Sequence, residues 1–175
     1  MIEHKIPVLH SKLQYVVHPI PQRILYVDIK MQKMFLIKEN LIQKTFDIST
    51  SKFGTGNHDN SNQTPLGIHK IINKIGHNAP AGRIFKSRID TGLDWHEGMT
   101  EENLILTRIL RLEGIEIGVN KGPAIDSYER YIYIHGTNRE DLIGNPMSHG
   151  CVCMRNNDII ELFDSVEEGT IVIID

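Results

Sequence analysis

The sequence predicts a mainly β domain with one late α-helix packed on it. Three observations carry this. Leu25, Val27, Ile29 and Met31 alternate with Tyr26, Asp28, Lys30 and Gln32, the period-two pattern of a half-buried strand. The run YIYI at 131–134 is built of β-branched and aromatic residues, which favour strands. Near the C-terminus, Ile159, Leu162, Phe163 and Val166 fall at i, i+3, i+4 and i+7 and form one apolar helix face.

Taken in order, residues 1–21 read as an N-terminal extension, because Pro7, Pro19 and Pro21 oppose regular structure, and residues 22–175 as the domain. Met34 to Ile37 and Ile42 to Ile48 read as strands joined by the polar turn Lys38 to Asn40. Gly54 to Pro65, with two glycines and three asparagines, reads as a long loop. Gly67 to Ile75 is strand-like, Lys86 to Glu101 reads as irregular, and LILTRILRL (104–112) fits a short buried helix or a strand. For the late helix, Asn156 or Asn157 is the expected cap, Asp158 suits the first turn and Gly169 the stop. TIVIID closes the sequence as a strand.

Composition narrows the function. The 175 residues fit one domain, with 40% hydrophobic and 23% charged residues in the globular range. Nineteen basic against 22 acidic residues give a net charge of −3, with no basic stripe, which argues against a nucleic-acid partner. No apolar run reaches the ~18 residues of a membrane span. The first residues lack the apolar core of a secretory signal, so the expected location is the cytoplasm, or the periplasm and cell envelope if a leader precedes this sequence.

Cys151 and Cys153 are the only cysteines, and two residues is the wrong separation for a bridge between distant segments. The window IHGTNREDLIGNPMSHGCVCMR (134–155) places His135, His149 and Cys151 among glycines. A thiol becomes a useful nucleophile beside a base, and His135 ends a strong strand that can hold one rigidly. Gly150 allows close backbone approach, and its amide with that of Cys151 could serve a developing oxyanion. These parts fit a Cys–His acyl-transfer site. A small buried cysteine with structural histidines is the plainer reading, and metal ligation by His135, His149, Cys151 and Cys153 a third, weakened by the short C-x-C spacing. Trp95, His96 and Tyr128 fit either a substrate groove or the core.

IHGT (134–137) followed by SHGC (148–151) resembles the signature of the L,D-transpeptidase catalytic domain, the YkuD-like family. The likeness extends to the opening strands from Arg23, to TPLGIHKI (64–71), to ILTRILRLEG (105–114) and to the final helix–strand unit, nearly the whole sequence. It implies a β-sandwich carrying the late helix, no cofactor and no bound metal, and a monomer that acts on peptidoglycan stem peptides. In that family a cysteine thiolate attacks the carbonyl between the third and fourth residues of a tetrapeptide stem. D-alanine leaves, and an amine of a neighbouring stem resolves the thioester into a 3→3 crosslink. Residue by residue, Cys151 matches the nucleophile, His135 the general base, the Gly136 carbonyl the group orienting that imidazole, and His149 the second motif histidine. Ser148, Gly150 and Thr137 match the remaining motif positions around substrate and oxyanion. Water as acceptor would make the same acyl-enzyme an L,D-carboxypeptidase or amidase, and a non-catalytic wall-binding or metal-binding domain is the alternative outside enzymes.

One position departs from the pattern. The family carries Arg or Asn two residues after the nucleophile, where this sequence has Cys153. A thiol neither grips a carboxylate nor keeps a neighbouring thiol ionised. In an extended strand Arg155 would share the face of Cys151 and Cys153, so it is the expected substitute cation. A redox role for Cys153, trapping an oxidised Cys151, is also open.

Overall fold

The computed structural model describes residues 2–175. Ten strands form one sheet: β1 (Arg23–Asp28), β2 (Lys33–Lys38), β3 (Leu41–Ser49), β4 (Gly67–Ile75), β5 (Arg83–Lys86), β6 (Ile89–Asp94), β7 (Ile105–Gly114), β8 (Tyr133–Gly136), β9 (Val152–Met154) and β10 (Ile171–Ile174). The order is β4-β10-β1-β2-β3-β9-β8-β7, and β4 pairs back onto β7, so eight strands close on themselves. The opposed layers expected of a sandwich are therefore opposite walls of one closed sheet. Neighbours are antiparallel except β1–β10 and β8–β9. The β5–β6 hairpin hangs from β7, where the sequence reads as irregular.

The period-two strand is present, but both faces of β1 are buried. Leu25 and Val27 enter the main core with Phe46, Ile134 and Val152, and α2 (Asn156–Ser165) adds Ile159, Leu162 and Phe163 to it. Ile24 and Tyr26 pack under α1 (Ile6–Leu13). That helix corrects the reading of residues 1–21 as irregular, since Pro7 sits in its first turn, where no intrahelical N–H is lost. Lys5 ties its start to the wall by donating to Asp28 Oδ2 at 2.7 Å and to the Tyr26 hydroxyl at 2.8 Å. Leu9 and Leu13 are essentially fully buried. Leu9→Ala is expected to cost about 2–3 kcal/mol, read as a lower urea midpoint in equilibrium unfolding.

The start of α2 also differs from expectation. Arg155 is the cap residue and its side chain caps nothing; Asn156 is the first helical residue, and its backbone N–H donates to Glu140 Oε1 at 2.7 Å. The strand read at 131–134 begins at Tyr133, because Tyr131 adopts a left-handed φ of +56°.

Candidate active site

The parallel pairing of β8 with β9 sets His135 opposite Cys153 and Ile134 opposite Val152. Ile134 and Val152 point into the main core, so Tyr133, His135, Cys151 and Cys153 share the other face. There Phe85, Ile109 and Tyr133 form a small apolar cluster that receives Cys151. Gly136 is required beside His135: a Cβ would lie 2.7 Å from the Leu106 carbonyl.

His135 is 2% exposed, and its Nδ1 lies 2.7 Å from the Gly136 carbonyl. That contact fixes Nδ1 as the protonated nitrogen and leaves the Nε2 lone pair free. Nε2 faces the Cys153 sulfur at 3.7 Å, so the imidazole rests against Cys153 and not against Cys151. Asn103 completes the row. Its Nδ2 donates to the Cys153 sulfur at 3.4 Å, and its Oδ1 accepts from the Thr137 hydroxyl at 2.7 Å.

The Cys151 sulfur accepts the Tyr133 N–H at 3.4 Å and donates to the Tyr131 carbonyl at 3.6 Å. Burial pushes its thiol up to about 11, and that of Cys153 up to about 12. Burial lowers His135 to about 4. At neutral pH the resting site therefore holds two thiols and a neutral imidazole.

The turn before Cys151 is built from the TPLG segment. Thr64 Oγ1 donates to the Gly150 carbonyl and accepts the Ser51 N–H, both at 3.0 Å. Gly150 has φ +126°, a value that favours glycine. Its N–H donates to Ser148 Oγ at 3.2 Å, so the amide expected at the oxyanion is spent inside the turn. His149 is not hydrogen-bonded to the thiol; its ring lies 5.5 Å from that of Phe53, between two surface cavities of about 320 and 620 Å³.

Arg155 does not join the site. The strand ends at Met154, alternation stops there, and the guanidinium turns to Asp47 at 3.3 Å and Asp158 at 3.9 Å. Among the described residues no group of three or more His, Cys, Asp or Glu side chains is arranged to hold a metal. Trp95 borders a separate cavity with Gly98 and Arg139, His96 is exposed, and Tyr128 lies under the Arg111 guanidinium. Asn103, Tyr131 and Arg130 are the residues that sequence reasoning missed. The first two act through contacts made by distant segments or by backbone, which no local pattern announces.

Burial has a stability consequence. His69, on β4, is also lowered to about 4 by burial, with Nε2 2.9 Å from Ser127 Oγ. An unfolded histidine takes its proton near pH 6.5, well above the folded value. The unfolded state then binds more protons between those values, and stability falls as pH drops through the window. The expected loss is roughly 2 kcal/mol per histidine by about pH 5 relative to pH 8. Urea unfolding at the two pH values checks it; equal stability would contradict the buried neutral imidazoles.

Comparison with known proteins identifies the family and the fold. The family model for the YkuD L,D-transpeptidase catalytic domain matches residues 22–174. YkuD of Bacillus licheniformis is 49% identical over 73 residues, covering 38% of this chain and 44% of that protein. YqjB of Bacillus subtilis is 46% identical over 41 residues, covering 23% of each. The crystal structure of an Enterococcus faecium L,D-transpeptidase mutant superposes with a TM-score of 0.55 at 18% identity, over 90% of this chain and 52% of that one, a likeness of fold. The chain thus matches less than half the length of these curated relatives and about half of that solved chain. With residues 22–174 inside the family model, the chain belongs to the L,D-transpeptidase catalytic-domain family.

Proposed function

We propose that the protein is a cysteine acyltransferase that acts on peptidoglycan tetrapeptide stems and forms 3→3 crosslinks through a thioester on Cys151. The observation that carries this reading is the row Cys151, Cys153, His135 on one face of β8–β9, with Nδ1 of His135 fixed by the Gly136 carbonyl. As the Cys151 sulfur bonds to the carbonyl carbon between stem residues three and four, its proton passes to the imidazole Nε2. Collapse of the tetrahedral adduct breaks the amide bond, and D-alanine leaves with that proton on its nitrogen. The amine of a second stem then attacks the thioester, gives up a proton to Nε2, and releases the Cys151 thiol.

The resting values decide the order of events. An imidazole near 4 cannot hold the proton of a thiol near 11 as a standing ion pair. Proton transfer therefore accompanies attack on the carbonyl. The test is intact-protein mass spectrometry of reduced protein mixed with a disaccharide-tetrapeptide. The expected adduct equals the substrate minus D-alanine. An unmodified protein beside intact substrate would overturn the reading, and free tripeptide without crosslinked product would replace transfer by hydrolysis.

A further inference from the structure

The motif position that carries Arg or Asn in the family is a thiol here, and Arg155 is neutralised by Asp47 and Asp158. A different cation reaches the nucleophile from the segment before β8. Arg130 precedes Tyr131, whose carbonyl receives the Cys151 thiol. Its guanidinium donates from Nη1 to the Gly56 carbonyl at 3.0 Å. From Nη2 it donates to the Gln63 carbonyl at 2.6 Å and to Ser61 Oγ at 3.3 Å. The same Gln63 carbonyl abuts Gly150, 3.3 Å from where a Cβ would stand, and Thr64 beside it bonds the Gly150 carbonyl. Arg130 is thus linked to the nucleophile turn in two ways, through its chain neighbour Tyr131 and through the Gln63 carbonyl beside Gly150. It also lines the 320 Å³ cavity together with His149.

We propose that Arg130 is the positioning residue that gives this site its fixed positive charge: it clamps the 56–63 loop against the nucleophile turn and stabilises negative charge on the Cys151 sulfur. All three of its bonds go to neutral oxygens, and among the described residues no carboxylate lies within ion-pair distance of it. Asp59, which lines the same cavity, acts on it only through space, so no ion pair consumes the cation near the place where a thiolate develops. Arg139, by contrast, spends its charge on Asp141 and Glu101. Burial destabilises the Arg130 cation itself, and the charges of Asp59 and, to a smaller extent, Cys151 favour it. The fork also explains the choice of arginine. One planar group reaches three oxygens of the loop and still presents charge, which a lysine ammonium on a flexible stem does less well.

The inference deepens the proposed function and takes Cys151 as its nucleophile, but its test needs no stem peptide. Alkylation of Cys151 by iodoacetamide at neutral pH, followed at the peptide level by mass spectrometry, reads its thiolate population. Arg130→Gln keeps an amide donor for the loop and removes the charge; Arg130→Lys keeps the charge and loses the fork. The expected result is alkylation about tenfold slower in Arg130→Gln, the equivalent of about one pKa unit, and within about threefold of wild type in Arg130→Lys. Equal slowing in both variants would reduce Arg130 to a loop clamp and overturn the proposal, as would an unchanged rate in Arg130→Gln. Circular dichroism confirms that each variant is folded, and if Arg130→Gln is not, Arg130→Met supplies the uncharged arm. Absence of a stem-peptide adduct beside Arg130-dependent alkylation would refute the transpeptidase reading alone. An adduct formed at wild-type rate in Arg130→Gln would refute this inference alone.

Discussion

Cys151→Ala is expected to form no acyl adduct with a tetrapeptide stem and to lose at least about 10⁴-fold in turnover, the scale seen when a nucleophile is deleted. The fold should survive. The sulfur contributes one accepted N–H and one weak donation to a carbonyl, contacts whose loss costs on the order of 1 kcal/mol. Far-UV circular dichroism and the urea midpoint check that point, and intact mass reads the chemistry. The companion variant is Cys153→Ala. Its sulfur is fully buried beside His135 and its thiol is pushed up to about 12, so it is not the residue that meets substrate. An adduct persisting in Cys151→Ala and vanishing in Cys153→Ala would exchange the roles of the two thiols.

His135→Ala is expected to slow acylation by about 10²–10⁴-fold at neutral pH, the usual worth of a positioned base. The more telling change is the shape of the pH profile. With a neutral imidazole near 4 and a thiol near 11, the wild-type rate should be level across the pH range between those values. Over that range the thiol–imidazole pair keeps its proton count. Without His135 only pre-formed thiolate can attack, so the variant's rate should climb about tenfold per pH unit up to the thiol's own value. Stopped-flow acylation from pH 5 to pH 9 separates the two shapes. A level profile in the variant would remove His135 from the proton's path.

Much of this was legible in the sequence, and each failure has a physical cause. The Ile159–Val166 face announced α2, and the alternation at 25–31 announced β1. Alternation cannot show that Ile24 and Tyr26 are covered as well, because their cover is α1, from a segment read as irregular on account of its prolines. The β5–β6 hairpin escaped because β6 is exposed along its whole length and carries no apolar period. At the site, IHGT and SHGC located Cys151 and His135, which local order and strand pairing bring to one face. Extrapolating the strand to Arg155 failed because β9 ends one residue earlier and the chain turns into α2. Arg130 was invisible for a different reason: its partners Gly56, Ser61 and Gln63 lie about seventy residues upstream, and only the folded loop assembles them.

The strand order has a consequence for biosynthesis. β10 sits between β4 and β1, pairing with both, although it follows all the other strands in sequence. Until Ile174 clears the ribosome, β1 and β4 each present an unpaired edge, and the wall cannot close. Closure of the wall waits for β10 and proceeds through pairings of high contact order, which makes it slow. Exposed edges in the interval invite pairing with other nascent chains. Chaperone demand should therefore persist until β10 has emerged, and deletion of residues 171–175 should yield aggregates instead of a weakened enzyme.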